Sequence, residues 1–294
     1  MNILFIGCVE ASAVELELLL KNNKKIVGII TKKQSAMNAD FFDLSPIGER
    51  YNIPVHYAKN INSIETQLFI REQNPDIAYC FGWSQIISKE ILDIPRLGVI
   101  GTHPTKLPYN RGRHPIIWAL CLGLDKTAST FFFMNEGADT GDIISQREIV
   151  INYSDYAQDL YDRITEAECE QILEFTEALE NNTYICTKQD LSVGNSWRKR
   201  GKQDGIIDWR MSSRAIYNLV RALSHPYIGA EFEYNNNTYK VWKCEEVIDA
   251  SLENIEPGKI IRYVSKNDFY VKAYDNIIHI FDCDDFEAEE GVYL

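Results

Sequence analysis

The first 150 residues alternate short apolar runs with amphipathic segments. Short apolar runs rich in β-branched residues are typical of buried strands, and apolar residues spaced three or four apart indicate helices. Regular alternation of the two predicts a Rossmann-like, doubly wound α/β domain with a mostly parallel sheet. The predicted strand and helix pairs are Ile3–Gly7 with Ser12–Lys21, Ile26–Thr31 with Leu44–Tyr51, Val55–Tyr57 with Ile61–Asn74, and Ile77–Trp83 with Lys89–Ile94.

A long helix is predicted after two further strands, Phe131–Met134 and Ile143–Ile151. The helix covers residues 156–180, and its apolar side chains recur at helical spacing along one face, which is expected to pack on the core. The members of that face are Leu160, Ile164, Ala167, Ile172, Phe175 and Leu179.

The pattern changes beyond residue 195. A predicted helix, Ser212–Ser224, is followed by short strands between turn signals, which is typical of a small antiparallel sheet or an open barrel. We therefore predict two domains. The first is the doubly wound domain, residues 1–195, and the second is a smaller β-rich, open-barrel-like domain, residues 196–294.

Composition and charge narrow the class of protein. A chain of 294 residues that is 45% hydrophobic can bury a large core. Its net charge of −13 disfavours nucleic-acid partners, because binding to phosphate polymers depends on cations that displace counterions. No uncharged apolar stretch is long enough to span a membrane, and the first residues are more typical of a strand than of a secretory signal. We expect a soluble, cytosolic protein without a membrane partner.

The seven cysteines indicate neither a disulfide framework nor a metal site. Their number is odd, they are scattered, and no CxxC pair or cysteine–histidine pair has the spacing of zinc ligands. Most lie inside apolar runs, where free cysteine behaves as a small buried hydrophobe. We expect reduced thiols and no bound metal.

The densest group of reactive side chains lies in the segment VIGTHPTKLPYNRGRHP, residues 99–115. His103 follows the apolar residues Val99 and Ile100, so we expect it at the carboxyl end of a strand, where doubly wound sheets bind their ligands. An imidazole titrates near neutral pH and can accept a proton from a nucleophile. A lone histidine in a loop can equally be a solvated or capping residue.

A carboxylate would complete this candidate base. Asp139 lies in the turn formed by residues 135–142, which follows the predicted strand Phe131–Met134. If the two strands end at the same edge of the sheet, Asp139 can meet His103 there, orient the ring and stabilise its protonated form. Convergence of these two side chains in one cleft is the central prediction from the sequence.

Two motifs at this separation resemble those of the folate-dependent formyltransferase family. His-Pro-Thr-x-Leu-Pro-x-x-x-Gly-Arg-x-Pro, from His103, is similar to the family's His-(Pro/Gly)-Ser-x-Leu-Pro, and Glu-Gly-x-Asp-Thr-Gly-Asp, from Glu136, is similar to its Gly-x-Asp-x-Gly turn. Later motifs resemble the members that formylate amino sugars attached to nucleotides, so the resemblance covers roughly residues 1–245. These motifs are Asp204-Gly205-x-Ile207-Asp208-Trp209, Asn218-Leu219-Val220-Arg221-Ala222 and Pro226-Tyr227-x-Gly229-Ala230.

The resemblance implies a site and a co-substrate. It assigns His103 as the catalytic base, Asp139 as its partner and N10-formyltetrahydrofolate as the formyl donor. Arg113 would be the cation nearest the anionic parts of the ligands, although it can equally be a solvated loop arginine. The other positions that match the family's folate-binding and pocket-lining residues are Gln85, Ile86, Ile87, Thr105, Lys106, Leu107, Pro108, Asn135, Glu136, Gly137 and Ala138.

One position departs from the family pattern. The family carries asparagine two residues before the histidine, where its amide donates to the formyl oxygen, and this chain has Gly101 there. Loss of one such donor typically costs about 10²–10³-fold in rate. Substitutes are the Thr102 hydroxyl, the Asn135 amide, an ordered water or the protonated ring of His103, and the glycine is expected to open space for a bulkier acceptor.

Three further side chains are candidates for contact with the acceptor substrate. Trp83 lies in a loop after a predicted strand and could stack on a ligand ring, although large aromatic residues more often belong to the core. Arg198 and Arg200 belong to the strongest cation cluster of an acidic chain. Such a cluster either binds a diphosphate or is solvated.

Together these features predict an N-formyltransferase that moves a formyl group from N10-formyltetrahydrofolate to the amine of a nucleotide-linked amino sugar. The expected partners are the folate and the nucleotide sugar, and the apolar strands of the final domain would allow a homodimer. Two alternatives remain open. One is a methionyl-tRNA formyltransferase, which the acidic charge disfavours, and the other is a catalytically weak binding protein of the same fold, which Gly101 favours.

Overall fold

The apolar runs of the first half form the strands of one large sheet. The structure is a computed structural model that describes residues 1–35, 39–252 and 254–294. The strands of this part are β1 Asn2–Ile6, β2 Lys25–Thr31, β3 Val55–Tyr57, β4 Ile77–Cys80, β5 Val99–His103, β6 Arg111–Gly112, β7 Lys126–Phe133, β8 Ile143–Val150 and β9 Ser196–Trp197. Within the described residues, seven of them form a sheet in the order β3-β2-β1-β4-β5-β7-β8, and the two-residue strand β6 pairs separately with β9.

Five neighbouring strands of this sheet, β3-β2-β1-β4-β5, are parallel. The predicted Rossmann-like, mostly parallel sheet is therefore confirmed. The next strand, β7, pairs antiparallel with β5 and places Thr130 opposite His103. Its last residues consequently lie beside the start of β5, where the backbone N–H of Met134 donates to the carbonyl oxygen of Val99 at 2.7 Å.

The helices of this part are α1 Glu10–Lys21, α2 Ser45–Tyr51, α3 Ile64–Gln73, α4 Lys89–Leu92, α5 Pro115–Cys121 and α6 Ala157–Glu180. Helices α1 and α6 pack on one face of the sheet, and α3 and α4 pack on the other. Because side chains alternate along a strand, each face of the sheet has its own apolar cluster. Ile3 and Phe5 of β1 belong to a cluster with residues of α1 and α6, whereas Leu4 and Ile6 belong to one with residues of α3 and α4.

The last part of the chain contains a helix, α7 Ser213–Leu223, and five strands. The strands are β10 Ala230–Tyr234, β11 Asn237–Val247, β12 Ile260–Ser265, β13 Asp268–Lys272 and β14 Ile277–Cys283. They form an antiparallel sheet in the order β10-β11-β14-β13-β12. Phe232, Phe269 and Phe286 pack edge to face or tilted in its core. The prediction of a β-rich second part is confirmed, in the form of the antiparallel sheet.

The chain divides into two units that are not continuous in sequence. The first unit consists of residues 1–115, 127–149 and 162–197, and the second of residues 116–126, 150–161 and 198–294. Two segments that precede residue 195 therefore belong to the second unit.

All seven cysteines are free thiols. Among the residues that the structure describes, no group of three or more histidine, cysteine, aspartate or glutamate side chains could hold a metal ion. Within the same residues, no helix combines the length and apolarity needed to cross a bilayer.

Candidate active site

His103 closes β5, with only 7% of its side chain exposed. Its Nε2 atom lies 3.0 Å from the carbonyl oxygen of Asn110. Since a carbonyl oxygen can only accept, Nε2 carries the proton of the neutral ring and donates it there. The other ring nitrogen, Nδ1, is left with its lone pair and lies 3.8 Å from Oδ2 of Asp139. The predicted partners therefore lie together, and the carbonyl of Asn110, rather than Asp139, fixes the tautomer of the ring.

Asp139 is held at its side chain and at its backbone. Its Oδ2 accepts a hydrogen bond from the backbone N–H of Gly112 at 3.0 Å. Its backbone carbonyl accepts from Nε2 of Gln189 at 3.1 Å. Its φ of +57° lies in the left-handed region, which aspartate tolerates better than most side chains. Strained backbone that the surroundings fix in this way is common at functional sites.

Gly112 is required where β6 meets β9. Its φ is +105°, and a Cβ at this position would lie 2.3 Å from the carbonyl oxygen of Trp197. Only glycine allows the two strands to approach so closely, and this approach directs the Gly112 N–H towards Asp139. In the sequence Gly112 is marked only as part of a motif, because its pairing with Trp197 leaves no local signal.

The turn that carries Asp139 reaches His103 by a route that the sequence analysis did not predict. Because β7 is antiparallel to β5, the turn starts near Val99 at the opposite end of β5 from His103. The chain then folds back, and Nε2 of Gln189 fixes it by a second hydrogen bond, to the carbonyl of Gly141 at 2.7 Å. The expectation that both strands end at the same edge of the sheet was wrong.

The loop after His103 is held by partly buried hydrogen bonds. The Thr105 hydroxyl donates to the carbonyl of Tyr109 at 3.0 Å, and Nε2 of Gln146 donates to the carbonyl of Leu107 at 3.0 Å. Thr105 and Leu107 are buried, and Pro108 follows Leu107 through a cis peptide bond. Lys106 points outward and forms an ion pair with Glu148 at 2.9 Å. The loop is therefore rigid, and its role in folate binding stays a prediction.

The three consecutive residues after β4 that match folate-binding positions have different environments. The carboxamide of Gln85 accepts from the backbone N–H of Ile61 and donates to the carbonyl of Lys59, both at 3.0 Å. Ile87 is buried in the core, whereas 67% of Ile86 is exposed. Of the three side chains, that of Ile86 is the one open to a ligand.

Arg113 connects the loop that follows β5 to the loop that follows β4. Its Nη1 donates to the carbonyl of Ser84 at 3.0 Å, so the side chain is not simply solvated. Two buried donors in the same loops, Nε1 of Trp83 and Nε of Arg111, have no hydrogen-bond partner in the described part of the chain. The Trp83 ring also meets the ammonium of Lys32 at 4.5 Å from its centroid. Unused buried donors of this kind are suited to a polar ligand.

The first residues of the Asp139 turn are exposed. The side-chain oxygen of Asn135 accepts from the backbone N–H of Gly137 at 3.0 Å and from the hydroxyl of Thr140 at 2.7 Å, which shapes the turn. Glu136 and Ala138 extend into solvent. Their predicted contacts with a folate stay predictions.

Gly101 does not open space, contrary to expectation. A Cβ at this position would lie 3.0 Å from Cγ and 3.1 Å from Sδ of Met134, so the methionine side chain occupies the volume. The Thr102 hydroxyl donates to Oε1 of Glu168 at 2.8 Å. Thr102 points to the opposite face of β5 from His103 and is not available to a formyl oxygen, so this suggested substitute was wrong.

Arg198 and Arg200, in the second unit, are engaged within the protein. Nη1 of Arg198 donates to Oδ2 of Asp204 at 2.7 Å, and Arg200 bonds to the backbone carbonyl of Asp204. The Arg198 guanidinium and the N–H of Gly201 hold the pKa of Asp204 well below its usual range. Both guanidinium groups lie over the ring of Trp118. Both guanidinium groups therefore have partners within the second unit, and their predicted contact with a diphosphate stays a prediction.

Comparison with protein families gives two matches that together cover most of the chain. A profile described as formyl transferase matches residues 1–176, and one described as formyl transferase, C-terminal domain, matches residues 199–284. A methionyl-tRNA formyltransferase from Clostridioides difficile is 32% identical over 284 residues, which is 95% of this chain and 91% of that protein.

Solved structures with the same fold include two sugar formyltransferases. The N-formyltransferase from Helicobacter canadensis, in complex with folinic acid and dTDP-3-aminofucose, gives a TM-score of 0.70 at 19% identity over 95% of this chain and 98% of that chain. WlaRD, a sugar 3N-formyl transferase crystallised with dTDP and 5-N-formyl-THF, gives 0.68 at 22% identity over 95% and 97%. At identities of 19% and 22%, the structural similarity to these two proteins establishes the fold alone.

Proposed function

The chain belongs to the formyl transferase family, and from this premise we propose that it transfers a formyl group from N10-formyltetrahydrofolate to the amine of a nucleotide-linked amino sugar. The observation that carries the proposal is the pair formed by His103 and Asp139, with Nδ1 and Oδ2 separated by 3.8 Å in a largely buried position. A transfer to an amine requires a group that removes the proton of the attacking nitrogen, and this pair supplies one.

The hydrogen bonds of His103 decide which of its atoms acts. Nε2 is occupied by the carbonyl of Asn110, so Nδ1 is the atom that accepts the proton of the acceptor amine. The ring then carries a positive charge beside the carboxylate of Asp139, which stabilises it. The N–H of Gly112 keeps that carboxylate directed at the ring during the proton transfer.

N10-formyltetrahydrofolate, when bound, supplies the formyl group. Groups that would hold it are the rigid backbone of residues 104–108, the exposed Ile86 and the turn at residues 135–138. The unpartnered donors of Trp83 and Arg111 fit a flat ring with an amide-like edge, which binds best to a few fixed polar groups within an apolar pocket.

Charge supports a nucleotide sugar as the acceptor over a nucleic acid. The chain carries a net charge of −13, and polyanion binding requires a cationic face. In the second unit, several cations that could form such a face are each paired with a carboxylate. The pairs are Arg198 with Asp204, Arg210 with Asp208, Arg214 with Glu246, Lys240 with Glu231, and Lys266 with Glu287.

A second candidate acceptor is methionyl-tRNA. The observation in its favour is the 32% identity, over 95% of this chain, to a protein named methionyl-tRNA formyltransferase. A catalytically weak binding protein is the third alternative, and Gly101 is the residue that favours it.

The test is an acceptor panel. The purified protein is incubated with N10-formyltetrahydrofolate and either a series of 3-amino and 4-amino nucleotide sugars or methionyl-tRNA, and products are identified by mass spectrometry. We expect a formamide on at least one nucleotide sugar and none on the tRNA. Formylation of the tRNA alone would establish the second candidate, and binding of folate and sugar without product would establish the third.

A further inference from the structure

Two acidic side chains are buried in the first unit. Glu15 of α1 and Glu168 of α6 are 1% and 4% exposed. Glu168 falls on the stripe of α6 that also contains Ile164 and Ile172, and Glu15 precedes the fully buried Leu16 of α1. These are positions where helices normally place apolar residues. Charged side chains are almost never buried to this degree unless they are paired.

Neither carboxyl meets a cation in the part of the chain that the structure describes. Oε1 of Glu168 accepts a hydrogen bond from the Thr102 hydroxyl at 2.8 Å. Both carboxyl oxygens of Glu15 are buried and have no hydrogen-bond partner among the described residues. Two ionised carboxylates in such a place would carry a large desolvation cost in addition to their mutual repulsion.

The electrostatics agree with this geometry. Burial raises the pKa of both carboxyls, and the charge of Glu168 raises the pKa of Glu15 further. Burial raises the pKa of the Cys169 thiol on α6, and the negative charges of both carboxyls raise it further. Thr102, which approaches from β5, does not titrate. Among the described residues, these neighbours therefore offer no positive charge that would compensate a second negative one.

We propose that Glu15 and Glu168 hold at least one proton between them at neutral pH, and that Glu168, acting through Thr102, is a positioning residue for His103. The positioning role rests on the proposed function. Thr102 and His103 are neighbours on β5, and their side chains extend to opposite faces. The hydrogen bond from Thr102 to Glu168 lies on one face of β5. It fixes the strand next to His103, whose ring extends from the other face.

The proposal predicts a loss of activity at alkaline pH. When the last shared proton leaves, both buried carboxyls are ionised, and the repulsion between their charges moves Glu168 together with its hydrogen bond to Thr102. His103 then shifts relative to Asp139, which it meets at 3.8 Å. Small displacements of a catalytic group are costly, up to about 10²-fold for about 1 Å.

The test compares kcat as a function of pH in four variants. Glu15→Gln and Glu168→Gln cannot ionise, and the amide oxygen introduced by Glu168→Gln would still accept from Thr102, so the alkaline decline should move up by about one pH unit or more. Glu168→Leu removes the acceptor and should lower kcat about tenfold or more at every pH, with the KM for folate nearly unchanged. Glu166→Gln, on the exposed face of the same helix, should leave the profile of the wild type unchanged.

Two spectroscopic readouts do not depend on turnover. Infrared difference spectra at pH 7 should show the C=O band of a protonated carboxyl in the wild type that is absent from the double variant Glu15→Gln/Glu168→Gln. The ring signals of His103 in NMR spectra should shift in Glu168→Leu and not in Glu166→Gln.

The outcomes separate this proposal from the proposed function. Absence of the infrared band overturns proton sharing, and unmoved His103 signals in Glu168→Leu overturn the positioning role, whether or not an acceptor has been found. Failure of the wild type to formylate any acceptor, with both spectroscopic results as expected, would overturn the proposed function alone. If the enzyme is active and both glutamine variants keep the wild-type pH profile, the proposed loss of activity at alkaline pH is overturned.

Discussion

Nε2 of His103 lies 3.0 Å from the carbonyl oxygen of Asn110. This hydrogen bond leaves Nδ1 as the basic atom of the neutral ring and directs it at Asp139. In a triad of the Ser-His-Asp type, the carboxylate sets the tautomer as well as stabilising the charge. Here a backbone carbonyl sets the tautomer, so the carboxylate is left with the second task.

Asp139→Asn tests this division of tasks. The variant removes the negative charge beside the ring but leaves the hydrogen bond to Asn110, so the ring keeps its tautomer. We expect kcat to fall by about 10²-fold or more, within the range of general base catalysis, while folate affinity is retained. Stopped-flow kinetics and a fluorescence titration with folate measure the two quantities. Asp142→Asn, an exposed carboxylate in the same turn, is the matched control and should retain the wild-type rate.

Gly101→Asn should destabilise the protein. The new Cβ would lie 3.0–3.1 Å from the side chain of Met134, and overpacking of this kind costs about 1–3 kcal/mol. Adding Met134→Ala should restore the free energy of unfolding. The double variant also supplies the amide that the family places at this position, so its kcat should exceed that of the wild type. Denaturant unfolding and initial rates give both results, and a double variant as slow as the wild type would indicate that another donor already serves the formyl oxygen.

Stability should depend on pH through Glu15 and Glu168. Unfolded glutamate ionises at about pH 4.3, whereas burial raises the pKa of both carboxyls in the folded protein. Their contribution is therefore fully present below the unfolded pKa and is lost as pH rises through the folded values. Glu15→Gln should be more stable than the wild type at pH 8, with a smaller decline from pH 5 to 8. Urea unfolding measures the free energy of unfolding at each pH. An equal decline from pH 5 to 8 in the wild type and in Glu15→Gln would contradict the assignment.

Removal of Arg221 from the second unit should be costly. It is 2% exposed and donates to Oδ1 of Asn218 and to the carbonyls of Asn152, Tyr153 and Asp155. Arg221→Met takes the guanidinium donors away from these acceptors, so we expect a loss of about 3–5 kcal/mol in the free energy of unfolding.

Arg210→Met is the matched control for that substitution. Its side chain is 83% exposed and pairs with Asp208, and exposed ion pairs contribute about 0–1 kcal/mol. Calorimetric unfolding of both variants tests the contrast. Similar losses in the two variants would show that burial of Arg221 does not determine its contribution.

The sequence predicts the sheet well because buried parallel strands leave continuous apolar runs, as at Ile77–Cys80. It predicts the approach of Asp139 to His103 only through the motif. The hydropathy pattern suggested that both strands end at one edge, but β7 is antiparallel to β5, and strand direction is set by pairing between distant residues. The contact of Gln189 with the turn, which brings Asp139 back, has no local signal.

Periodicity also failed where polar residues occupy core positions. It placed Ala167 on the buried face of α6, whereas Glu168 is buried and Ala167 is only partly so. A pattern that treats every glutamate as exposed cannot find Glu168 or Glu15. The sequence likewise left Arg198 open between solvent and a diphosphate, because its pairing with Asp204 depends on the turn between them.

Single-turnover formyl transfer by His103→Gln tests the central claim most directly. With saturating N10-formyltetrahydrofolate and the acceptor found in the panel, we expect the rate to fall by about 10²–10⁴-fold, because the glutamine amide cannot accept the proton of the amine. His56→Gln, a substitution of a partly buried histidine elsewhere in the first unit, should react at the wild-type rate. Transfer by His103→Gln at the wild-type rate would contradict the account.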